Sequence, residues 1–117
     1  TSFTLCLFVG IPAQWQSGLS VSLTGVGCHD WAMFYIAPKG WMYADCSFGA
    51  SMARLGDETM RRHYFGSLDT GRMVANRAFE APFDPPMTGF RSDPYDNQSG
   101  ECEVDGVGLY GDALDTR

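Results

Sequence analysis

The residues able to do chemistry concentrate between Cys28 and Ser47. This stretch holds His29, one of two histidines in the chain, and sixteen positions later Asp45. A histidine acting as general base must be held in one tautomer, and a carboxylate accepting its second ring N–H does that and stabilises the imidazolium. The stretch reads as a β-hairpin: an aromatic-rich run, Pro38-Lys39-Gly40 as the turn, then a second aromatic run. In an antiparallel pair, residues share a face when they are opposite or offset by an even number. An odd loop satisfies this for His29 and Asp45. With residues 36–40 as the loop, Tyr35 faces Trp41, Trp31 faces Asp45, and His29 lies diagonal to Asp45, within reach of a carboxylate. Trp31 and Trp41 are expected to shield the pair from water. The competing reading makes His29 a satisfied structural histidine and Asp45 a turn cap.

The cysteines nearest this pair are poor partners for it. Cys28 and Cys46 are sequence neighbours of His29 and Asp45, so alternation turns them to the opposite face. A zinc site built from Cys28, His29, Asp45 and Cys46 would need ligands from both faces of a ribbon and is not expected. Cys28 and Cys46 are expected on the core side, as buried thiols or a cross-strand disulfide. Cys6 and Cys102 complete the four, and no pair has C-x-x-C spacing. His63 lies among Arg61, Arg62, Tyr64 and Phe65 and reads as a helix-surface residue. Asp93, Asp96, Glu101, Glu103 and Asp105 lack the spacing of a calcium loop and read as a solvated acidic loop.

The surrounding elements follow from local signals. Residues 1–9 are almost wholly apolar and precede Gly10-Ile11-Pro12, which reads as the end of a buried helix. Residues 13–18 read as a short strand and residues 19–23 as a half-buried strand, followed by a turn at 24–27. Beyond Ser47 the chain loses regularity until Asp57, a candidate N-cap for a helix over 59–65 stopped by Gly66. Residues 72–76 suggest a strand. Asp84-Pro85-Pro86 forces a loop, and from Arg91 onward loops and edge strands are expected.

The composition narrows the class. The 117 residues are 44% hydrophobic, 19% charged and 14% aromatic, with a net charge of -6. That describes one globular domain or part of one. With one Lys and seven Arg, and only Arg61-Arg62 adjacent, no nucleic-acid partner is expected. No apolar run is long enough to span a membrane, and no cofactor is expected. The chain opens at Thr1 inside an apolar run, so it is expected to be a segment of a longer protein, with any targeting signal upstream of Thr1.

Four blocks resemble one family. Gly10-Ile11-Pro12-Ala13-Gln14 is similar to the G-I-P-A-R segment of transglutaminase-like domains, with Gln14 in place of the usual Arg. Cys28-His29-Asp30-Trp31-Ala32 through Gly40-Trp41 to Ala44-Asp45 resembles that family's catalytic His and Asp segment. Residues 65–69 and 93–98 resemble its bacterial members. The resemblance implies an α+β fold with a papain-like core, and a single partial domain over residues 1–117. It implies a Cys-His-Asp triad with His29 as base and Asp45 as its orienting partner. The nucleophilic Cys would sit at the start of the helix that ends at Gly10, upstream of Thr1, with Cys6 too close to Gly10 to serve. The implied activity is thiol-dependent acyl transfer or amide hydrolysis on a protein or peptide; the sequence leaves the compartment unknown, with an extracytoplasmic (secreted or periplasmic) setting suspected. The alternatives are a non-catalytic peptide- or glycan-binding module on the same fold, and a purely structural partner domain.

Overall fold

A computed structural model describes residues 2–79, 81–92 and 100–114. It is a mixed α/β structure with antiparallel sheets, and the chain divides into two compact units, Thr1–Arg77 and Ala78–Arg117. Asp93 and Asp96, and the motif at 93–98, lie outside the described residues.

The first unit is built on a five-stranded antiparallel sheet. Helix α1 (Ser2–Phe8) leads into strands β1 (Ala13–Ser22), β2 (Gly25–Ile36) and β3 (Gly40–Ala44). Helices α2 (Cys46–Arg54) and α3 (Glu58–His63) follow, then short β4 (Phe65–Gly66) and β5 (Arg72–Asn76). The strand order is β4-β3-β2-β1-β5, so β5 crosses the sheet to pair with β1.

Helix α1 ends where Gly10 turns into the left-handed region (φ 77°), with Ile11 N–H bonding back to the Cys6 carbonyl. The expected burial of this helix is not seen: Leu5 is 67% and Phe8 87% exposed. Residues 13–18 and 19–23 form one strand rather than two, because the β1–β2 ladder runs unbroken from Ala13↔Phe34 to Ser22↔Gly25. The turn falls at Leu23-Thr24, earlier than the Gly-rich run suggests.

The β2–β3 register is Tyr35↔Trp41 and Ala32↔Ala44. Ile36 and Gly40 pair, so the loop is three residues rather than five, but it remains odd and the parity is the expected one. The ladder stops at Ala44 because Asp45 opens a helix. That helix, α2, replaces the irregular stretch expected after Ser47. Helix α3 begins as expected, with Asp57 accepting a hydrogen bond from the Met60 N–H.

Buried aromatic and small residues form the core: Trp15, Trp31, Ala32, Phe34, Ala44 and Tyr64, together with buried Gln16, Ser17 and Asp45. The Trp31 indole N–H donates to Gln16 Oε1 at 2.8 Å, so that neither polar group is buried unpaired. Cys28 and Cys46 are exposed free thiols, not core residues or a disulfide. Cys28 falls on the outer half of β2, and Cys46 starts α2 at the surface.

The second unit carries a hairpin, β6 (Glu101–Val104) with β7 (Val107–Tyr110), and a short 3-10 turn at Gly111–Ala113. Glu101 and Glu103 are not free solvated acids. Glu101 is buried against Arg91 and takes the Ser92 N–H, and Glu103 accepts from the Thr88 and Gly89 N–H groups. Among the described residues no helix is long and apolar enough to cross a membrane.

Candidate active site

Directly opposed residues in a sheet share a face. The pairs Gly18↔His29, Gln16↔Trp31 and Ser20↔Arg72 therefore place His29, Trp31 and Arg72 on one face. Asp45 joins them from the end of β3, where its own N–H is anchored to the Tyr64 carbonyl at 2.9 Å.

His29 Nε2 lies 2.8 Å from Asp45 Oδ2. Asp45 is 1% exposed and the His29 side chain 19%. The two oxygens of Asp45 have separate work. Oδ1 accepts the Phe48 N–H at 3.0 Å and the Ser47 hydroxyl at 2.9 Å, capping α2, while Oδ2 faces His29 and Arg72. Turn cap and histidine partner are thus one residue in two roles. Burial pushes the Asp45 carboxyl up. The bonds to His29, the Phe48 N–H and Ser47, with the His29 charge, outweigh it and hold the group below the ordinary carboxylate range.

With Nε2 turned to the carboxylate, His29 Nδ1 makes no hydrogen bond among the described residues. The ring borders an open depression of about 280 Å³ that Ser20, Ser22, Gly25 and Phe48 also line. Ser47 Oγ is 3.4 Å from Nε2, but that nitrogen already faces Asp45 and the hydroxyl donates to Oδ1. Ser47 supports the carboxylate and is not placed as a nucleophile.

The aromatic surroundings differ from expectation. Trp31 is 3% exposed and its ring sits 6.4 Å from that of His29. Trp41 is 42% exposed and packs edge-on against Tyr35, away from the dyad. Phe48 takes the shielding position instead, 4.9 Å from the His29 ring in an edge contact. His63 ends α3 with its ring against Tyr64.

Two charged residues belong to this site and were not foreseen. Arg72 Nη1 lies 2.9 Å from Asp45 Oδ2, and Arg72 Nη2 lies 3.1 Å from Asp69 Oδ2. The Arg72 side chain is 4% exposed, with its guanidinium 4.4 Å from the Phe48 ring centre and 5.5 Å from that of Trp31. Asp69 also accepts from the Tyr64 hydroxyl and the Gly71 N–H. The run Leu68-Asp69-Thr70-Gly71-Arg72 is visible in the sequence. Its only signal is a carboxylate and a guanidinium three residues apart, which is common on surfaces.

No group of three or more His, Cys, Asp or Glu residues suited to a metal ion occurs among the described residues. Comparison with protein-family models, with curated proteins and with solved structures finds no match to this chain.

Proposed function

We propose that this chain is the base-bearing part of a transglutaminase-like, papain-like cysteine acyltransferase or hydrolase. His29 is its general base and Asp45 the residue that orients it. The observation that carries the reading is the His29–Asp45 contact at 2.8 Å, with the carboxylate buried and the other ring nitrogen open. A base needs one nitrogen fixed and one available, and this arrangement supplies both. The resemblance of residues 10–18 and 28–45 to the family points the same way.

The nucleophile in this reading is a cysteine outside these 117 residues, approaching His29 from the Nδ1 side. Strand alternation sets Cys28 on the opposite face from its neighbour His29, though both border the same depression, and no cysteine hydrogen-bonds the ring among the described residues. In the reaction the thiolate, paired with the imidazolium, attacks a carboxamide or peptide carbonyl. The tetrahedral intermediate collapses to a thioester as His29 passes its proton to the departing amine. Water or a second amine, deprotonated by His29, then releases the acyl group. Asp45 remains a carboxylate throughout and keeps the ring in place.

The test uses the chain extended upstream to include that cysteine, assayed on peptide amides. Iodoacetamide-sensitive turnover is expected, and His29→Ala should lower kcat by about 10²–10⁴-fold at a temperature where the variant remains folded. Turnover that ignores both iodoacetamide and His29→Ala would sink the reading. A binding module is the second reading. A cleft of about 490 Å³ beside Trp31, Trp41, Tyr43 and Asp69 favours it, because aromatic walls suit peptide or sugar contacts. Saturable peptide or glycan binding without acyl transfer by the extended chain would select it.

A further inference from the structure

The site holds more charge than a His–Asp pair requires. Four titratable or charged groups follow one another in contact: His29, Asp45, Arg72 and Asp69. They come from four different places, namely β2, the cap of α2, β5 and the loop before β5. We propose that Arg72, seated by Asp69, is the positioning residue of the dyad, holding the Asp45 carboxylate in line with His29 as an ion-pair partner rather than through a directed hydrogen bond.

The geometry separates those two modes. Arg72 Nη1 stands at ion-pair distance from Asp45 Oδ2, yet makes no aligned hydrogen bond to any atom among the described residues. His29 Nε2 shares the same oxygen at 2.8 Å. Arg72 therefore supplies the electrostatic field without taking the lone-pair direction that His29 uses. A guanidinium suits the place because it is always charged and is drawn to aromatic faces, and its carbon lies 4.4, 5.5 and 6.0 Å from the ring centres of Phe48, Trp31 and Tyr64.

Asp69 is what makes the burial tolerable. A buried guanidinium with one partner would carry a large desolvation cost. Asp69 accepts Nη2 on Oδ2 at 3.1 Å and shares Nε between Oδ1 and Oδ2 at 3.3 and 3.2 Å, charge-assisted bonds that offset part of that cost. It also divides the charge that Arg72 presents to Asp45. Among the described residues the side chains bonded to or ion-paired with Asp45 are His29 from β2, Ser47 from α2 and Arg72 from β5, with Asp69 behind Arg72, while Asp30, Cys46 and Arg61 border cavities that Asp45 also lines. Two backbone groups complete its surroundings, the Phe48 N–H on its side chain and the Tyr64 carbonyl on its own N–H.

A positioning role for the reaction rests on the function proposed above, but the coupling can be read without any turnover. The experiment follows the Asp45 carboxyl carbon by NMR through an acid titration of the 117-residue chain, with the His29 ring nitrogens as a second signal. Arg72→Met keeps an unbranched apolar stem and removes the charge. It should raise the Asp45 midpoint by about 1–3 pH units, the usual effect of an opposite charge at this distance, and disturb the single His29 tautomer. Arg72→Lys should restore most of the midpoint. Asp69→Asn should move it the other way, downward, because Arg72 is then less neutralised. An unmoved midpoint in folded Arg72→Met would overturn the proposal, as would shifts of the same sign in Arg72→Met and Asp69→Asn. Should Arg72→Met not fold, Asp69→Asn and Arg72→Lys decide: an upward shift in Asp69→Asn refutes the coupling. If the shifts follow the prediction while the extended chain shows no acyl transfer, the coupling stands and the enzymatic reading falls.

Discussion

Asp45 is the residue on which most of the site converges. One oxygen caps α2 and the other meets His29 and Arg72, so substitutions at this position separate the two duties. Asp45→Ala removes the cap, worth ~1 kcal/mol, and leaves Arg72 without its buried partner. Loss of one member of a buried pair costs about 3–5 kcal/mol, so urea unfolding should show a fall of that order. Asp45→Asn keeps an acceptor for the Phe48 N–H and should cost measurably less. The carboxylates also set the acid sensitivity of the fold. Asp45 titrates below its ordinary value because the His29 bond, the Phe48 N–H and Ser47 outweigh burial. Asp69 does so because Arg72, Tyr64 and the Gly71 N–H outweigh it. A depressed folded-state value means the stabilisation is fully present above the unfolded value near ~4. It is lost as pH falls through the lower folded-state values. Tm measured from pH 6 down to pH 2 should therefore drop below pH ~4, and Asp45→Asn should flatten that acid limb.

At the scale of elements, strand β5 is what delivers Arg72, and two glycines let it dock. A Cβ on Gly18 would fall 1.9 Å from the Met73 carbonyl oxygen, and one on Gly71 would fall 2.1 Å from that of Val21. Gly18→Ala should therefore push β5 from β1, costing about 1–3 kcal/mol as overpacking does. Hydrogen exchange should show lost protection in Arg72–Asn76. Retained protection there, with unchanged Tm, would mean that β1 absorbs the methyl group without moving β5. This element also marks where sequence reading stops. The His29–Asp45 pairing was legible because strand parity is local arithmetic: an even separation across an odd loop puts both residues on one face. The β5 strand was legible as a strand from its short run, but its neighbour was not. It joins β1, far away in sequence, through the order β4-β3-β2-β1-β5. Arg72 could not be placed beside Asp45 without that crossover. Helix α2 was missed for another reason. Its start, Cys46-Ser47-Phe48-Gly49, has weak helix formers and no apolar period, and its N-cap Asp45 directly follows the last residue of β3.

Across the whole molecule, the dyad, its charged neighbours and its aromatic shield all lie within the unit Thr1–Arg77. The unit Ala78–Arg117 has its own staples, Arg91 stacked on Phe83 and paired with Glu101, and Glu103 gripping Thr88 and Gly89. The free thiols Cys28 and Cys46 are exposed, and neither hydrogen-bonds His29 among the described residues. The 117-residue chain by itself should accordingly show no iodoacetamide-sensitive amide hydrolysis, and activity of that kind would place the nucleophile among its own cysteines. The central claim is that His29 serves a cysteine in acyl transfer, and the acyl-enzyme itself tests it most directly. The upstream-extended chain would be mixed with an activated acyl donor, quenched in acid and examined by intact and peptide mass spectrometry. The account predicts a thioester on the upstream cysteine in the wild-type chain and none with His29→Ala. An adduct on Ser47, or a thioester that forms equally fast with His29→Ala, would contradict it.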